Sequence, residues 1–65
     1  MTILDYPSYA ADYEFNTLYY NENGDLTFYG VSEHGWEAEK DCELLRQQGY
    51  EPIILHNVRI QHRRK

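Results

Sequence analysis

The chain has 65 residues, 42% of them apolar and 15% aromatic, with eleven carboxylates against six lysines and arginines for a formal net charge of -5. That length admits one domain with one thin core, near the lower limit for unaided folding. It also excludes an internal disulfide, because Cys42 is the only cysteine. The charge is uneven: every carboxylate lies at or before Glu51, so residues 1–57 carry -9 once Lys40 and Arg46 are set against the acids, while Arg59, Arg63, Arg64 and Lys65 place +4 at the end. An acidic body opposes ordinary non-specific nucleic-acid binding and favours basic protein surfaces, including those that normally hold nucleic acid.

Residues 1–13 read as turn and coil through Asp5-Tyr6-Pro7-Ser8 and Asp12, yet Tyr6, Tyr9 and Tyr13 argue against disorder. We expect an ordered arm, with Ile3 and Leu4 adding a short edge strand or covering part of the helix. The segment lacks the basic start and apolar run of a signal peptide, and a lone thiol fits a reducing compartment. The expectation is a cytoplasmic protein with no membrane span.

Residues 14–31 predict a β-hairpin: two aromatic and β-branched runs flank Asn21-Glu22-Asn23-Gly24. With a loop of two or four residues, alternation puts Phe15, Thr17, Tyr19, Leu26 and Phe28 on the core face. Asn16, Leu18, Tyr20, Thr27, Tyr29 and Val31 then fall on the other.

Residues 32–49 predict a helix with Ser32 as N-cap, Val31 and Trp36 at hydrophobic-staple positions, and Gly49 as the stop. At 100° per residue, Ala38, Cys42 and Leu45 form a core stripe. Trp36, Lys40 and Leu44 fall on the opposite side, flanked by Glu33, Glu37 and Asp41 on one hand and Glu39 and Glu43 on the other. A sheet needs only one apolar helix face, so this second face is surplus.

Residues 52–60 predict a third strand opened by Pro52, with alternation that falters at His56-Asn57 and leaves room for a bulge. Residues 61–65 are a basic tail. The order is β-β-α-β: an α+β fold of one helix on a small three-stranded sheet, with the direction of the third strand left open.

No catalytic set emerges. His34, His56 and His62 lack a ligand pair at metal spacing, and Cys42 lies on the buried stripe, where a thiol behaves as a small apolar side chain. No metal and no cofactor are assigned, and the expectation is a non-enzyme. Binding residues are drawn from the surplus helix face and the exposed tyrosines: Glu33, Trp36, Glu37, Lys40, Asp41, Leu44, Tyr20 and Tyr29. Arg59, Arg63, Arg64 and Lys65 are candidate phosphate contacts.

A small, acidic, tyrosine-rich domain with the carboxylate rows Glu33, Glu37, Glu39, Asp41 and Glu43 resembles the accessory proteins of phages, in style the anti-CRISPR and other anti-defence proteins. The resemblance implies a stoichiometric inhibitor that docks on a basic, nucleic-acid-binding surface of a host defence complex such as a CRISPR effector. Two alternatives come from other classes. One is a nucleic-acid-binding or regulatory module using the basic tail, although direct nucleic-acid contact is disfavoured by the acidic body. The other is a homodimer in which Trp36 and Leu44 meet their symmetry mates.

Overall fold

The computed structural model describes residues 3–57, in the order of a short 3-10 helix (Ser8–Asp12), β1 (Phe15–Tyr20), β2 (Leu26–Ser32), α1 (Gly35–Gln47) and β3 (Glu51–His56). The fold is α+β with β-β-α-β topology: a three-stranded sheet of order β2-β1-β3, antiparallel throughout, with one helix against it. β3 therefore returns beside the first strand of the hairpin, in the opposite direction. Its register with β1 runs unbroken from Phe15 opposite His56 to Tyr20 opposite Glu51. The bulge for which the sequence left room at His56 is absent from this pairing. Pro52 is accommodated because β3 is an edge strand, where a missing N–H can face the unpaired side. The basic tail and the end of the predicted third strand, residues 58–65, lie outside the described residues.

The hairpin loop has odd length, running from Asn21 to Asp25 between the paired Tyr20 and Leu26. Asn21 organises it: its Oδ1 accepts the N–H groups of Asn23 and Asp25, both at 2.9 Å, and its carbonyl accepts the N–H of Gly24. Gly24 has φ +82°, the left-handed region a glycine enters without steric cost. An odd loop reverses the expected side-chain faces, so Leu18, not Thr17, shares a face with Leu26 and Phe28. A β-bulge then resets the pairing. Leu18 stands opposite Phe28 but Thr17 opposite Gly30, which leaves Tyr29 as the extra residue.

Both faces of the sheet are covered, giving three layers. A Cβ built at Gly35 would stand 3.9 Å from the Phe15 ring, so Phe15, Thr17 and Tyr19 face the helix. Asn16, Leu18, Leu26 and Phe28 face the arm, where Tyr6 packs edge-on against Phe28 with ring centroids 5.7 Å apart. The expected arm is ordered through its described length and adds a short edge pairing: Leu4 forms a parallel bridge with Thr27, donating to Leu26 O at 2.9 Å and accepting from Phe28 N at 3.0 Å. Its anchor is Asn16, wholly buried in β1. Asn16 Nδ2 donates to Ala10 O at 2.9 Å, while Asn16 Oδ1 accepts from Tyr6 Oη at 2.6 Å and from Asn57 Nδ2 at 3.1 Å.

The helix starts later than expected. β2 continues through Ser32, which is buried, and His34 holds the N-cap position without a side-chain cap bond. Ser32 is therefore not the cap, and Val31 and Trp36 do not stand at the staple positions flanking the observed N-cap. Instead Glu37 reaches back, its Oε1 accepting the Glu33 N–H at 3.4 Å, a relative of the capping box. The end follows the Schellman pattern: Tyr50 N donates to Leu45 O and Gly49 N to Arg46 O, both at 3.0 Å, with Gly49 at φ +91°. Ala38, Cys42 and Leu45 are buried as the stripe requires, and the helix lies across all three strands. Burying a leucine such as Leu45 contributes about 1.5–3 kcal/mol. Among the described residues no helix is long and apolar enough to cross a membrane.

Candidate functional site

The surplus face of α1 stays open. Trp36 is 63% exposed and Leu44 is 45% exposed, so neither the sheet nor the arm covers them. They belong to a groove of about 340 Å³ between the helix and the end of β2, lined by Val31, Ser32, Trp36, Glu37, Lys40, Asp41 and Leu44. Its position follows from the sequence. A 3.6-residue period stacks Trp36, Lys40 and Leu44 in one row and Glu37 and Asp41 in the next. The later helix start leaves Val31 and Ser32 in the strand, where they form the sheet side of the groove.

Glu37 and Asp41 are the half-buried members of the helix side, while Trp36, Lys40 and Leu44 are exposed and form its rim. A Cβ at Gly30 would stand 3.6 Å from Asp41 Oδ2, an ordinary contact distance, so that carboxylate lies against the bulged strand. Burial lifts the Asp41 carboxyl above the ordinary carboxylate range, the neighbouring charge of Glu37 lifts it further, and Lys40 partly offsets both. Among the described residues neither oxygen of Asp41 accepts a hydrogen bond. The ring of His34 lies parallel to Trp36 with centroids 6.2 Å apart.

Of the residues singled out from sequence, Trp36, Glu37, Lys40, Asp41 and Leu44 converge on this groove. Glu33 does not line it and reaches it only through the bond from its backbone to Glu37. Tyr20 and Tyr29 are 38% and 39% exposed, but they do not extend the groove or share a face. The bulge turns Tyr29 towards Tyr19, ring centroids 6.2 Å apart, whereas Tyr20 follows Tyr19 in β1 and alternates to the other side. Sequence reasoning missed Val31 and Ser32, which it had assigned to the helix start. Gly30 was the available signal, since a glycine inside a strand often marks a bulge. Arg59, Arg63, Arg64 and Lys65 lie outside the described residues.

Among the described residues no group of three or more His, Cys, Asp or Glu side chains converges as a metal site. His56 is engaged by Glu14 at 3.2 Å and stacks on Phe15 with centroids 4.7 Å apart. Cys42 is buried, and its thiol is held above the usual range by burial first and by Glu39 second. Compared with known proteins, the chain matches no family model, no curated protein and no solved structure.

Proposed function

We propose that this protein acts by binding, without turnover, through the open face of α1, and that its partner is a protein with a basic surface of the kind that holds nucleic acid. The observation that carries this reading is the exposure of Trp36 and Leu44 together beside carboxylates. Large apolar side chains left in water by a chain with so little core to spare are the usual anchors of an interface. Residues 33–47 carry five carboxylates against Lys40 and Arg46, and residues 1–57 carry -9. Such a field steers association towards a cationic partner and opposes the approach of a second copy to the same face. In the form that the resemblance to phage anti-defence proteins gives it, the partner is a host nuclease or surveillance complex whose nucleic-acid groove is blocked.

The test is affinity capture from host lysate with the intact chain, with Trp36→Ala/Leu44→Ala, and with Glu37→Lys/Asp41→Lys, each variant first shown to be folded by circular dichroism. The reading expects a basic protein retained by the intact chain alone, released by salt and displaced by added nucleic acid. Capture that survives both double substitutions and is indifferent to salt would remove this face from the interaction.

A further inference from the structure

Resting on that reading, we infer that the groove between α1 and the end of β2 is a socket for an arginine side chain presented by the partner. Four features converge on this guest. The groove, at about 340 Å³, has room for one long side chain rather than a folded element. Trp36 offers a largely exposed indole at the rim, and a planar guanidinium stacks on such a ring. Leu44, about two helical turns along the same row, supplies apolar surface at the other end of the groove for the methylene stem. Asp41 brings two acceptor oxygens that no described donor uses, with Glu37 next to it.

Charge alone would admit any cation, but Lys40 narrows the choice. Lys40 lines the same groove, and its positive charge opposes a second one. A guest has to recover that loss through interactions a point charge makes poorly. Guanidinium does so, because it can bond a carboxylate with two parallel N–H groups while its face stays on the indole. A lysine guest would meet the same repulsion, and although its ammonium could also sit over the indole, it would bond the carboxylate only as a point charge.

The full chain is titrated with Ac-Gly-Arg-Gly-NH2 and Ac-Gly-Lys-Gly-NH2 while the indole N–H and the amides of residues 36–44 are followed by NMR. Trp36 is the only tryptophan, so its fluorescence reports the same event. The arginine peptide is expected to bind about tenfold more tightly than the lysine peptide, and Trp36→Ala and Asp41→Asn each to weaken it about five- to tenfold. Equal response to both peptides, or shifts confined to other carboxylates, overturns the socket. An oligolysine titration separates the two levels. If oligolysine perturbs the helix face but arginine is not preferred, the socket fails and docking on a basic surface stands; if neither ligand moves Trp36, both fall.

Discussion

Tyr6 donates its hydroxyl to Asn16 Oδ1 at 2.6 Å, tying the arm to the central strand through a wholly buried amide. The same oxygen accepts from Asn57, whose Nδ2 also donates to Tyr13 O at 2.9 Å, so one side chain in β1 joins the arm, the sheet and the segment after β3. Each buried bond lost here leaves a partner unsatisfied in a dry layer. Asn16→Ala is therefore expected to cost about 2–4 kcal/mol, as two acceptor bonds and one donor bond are lost together, and Tyr6→Phe about 1 kcal/mol. Urea unfolding of the two single variants and the double variant checks this. Strict additivity between Tyr6 and Asn16 would mean that the hydroxyl does not depend on the amide.

Thr17 offers the opposite case. It is wholly buried beneath the helix, and its Oγ1 finds no hydrogen-bond partner among the described residues. Valine has nearly the same shape and removes the unsatisfied group, so Thr17→Val is expected to stabilise the domain by about 1 kcal/mol or to leave it unchanged. A lower midpoint in urea for the variant would show that the hydroxyl is satisfied in solution.

Much of this architecture was legible in the sequence, and the exceptions share a cause. The hairpin announced itself through Asn21–Gly24, the helix stop through Gly49, and the core stripe through the spacing of Ala38, Cys42 and Leu45. These signals are local, and local chemistry decides them. The faces of β2 were not legible, because they depend on a loop of odd length followed by a bulge at Tyr29, and each shifts the side-chain parity by one. Ser32 misled for a related reason: a good N-cap residue is spent in the strand when the bulge lets β2 run on. Asn16 looked like a polar outward position, and only the arm folding over that face makes it a buried hub. The groove residues contributed by the helix follow from its periodicity, whereas those contributed by β2 depend on where the strand ends and the helix begins.

The thiol of Cys42 provides a reporter of opening. Burial, then Glu39, holds its proton on more firmly than usual, and the sulfur is shielded beneath the helix. Alkylation of the native chain at pH 8 is expected to be about 100-fold slower or more than in denaturant, with a rate that tracks unfolding. Fast labelling under native conditions would mean that α1 detaches readily from the sheet. Cys42→Ser buries a hydroxyl in the same place and should cost about 1–3 kcal/mol.

Asp41 should leave a signature in the pH dependence of stability. Its carboxyl is harder to ionise in the folded chain than in the unfolded one, through burial first and Glu37 second. At neutral pH the charged form therefore opposes folding. As pH falls through the raised folded value the native chain takes up this proton first, and the penalty disappears. Asp41→Asn is accordingly expected to stabilise the domain at pH 7 by a few tenths of a kcal/mol, about the size of a like-charge pair one helical turn apart. The gain should shrink towards zero below the ordinary carboxylate range. Paired thermal melts of the two chains from pH 7 to pH 3 measure it, and a gain that grew on acidification would reverse the assigned sign.

The two faces of α1 make opposite demands on stability, and comparing them tests whether the outer one is free for a partner. Leu45 is buried between helix and sheet, so Leu45→Ala removes core that cannot refill and is expected to cost about 2–5 kcal/mol. In a domain this small the whole reserve is about 3–10 kcal/mol, so that single change approaches unfolding. Leu44 is its sequence neighbour and Trp36 is far larger, yet both stand in water. Leu44→Ala and Trp36→Ala are expected to move stability by no more than about 0.5 kcal/mol. Urea midpoints for the three variants decide the matter, because chain length, helix propensity and the substituted residue are nearly matched between Leu44 and Leu45. A loss above about 1 kcal/mol for Trp36→Ala would place the indole in the fold's own packing and deprive the proposed interface of its anchor.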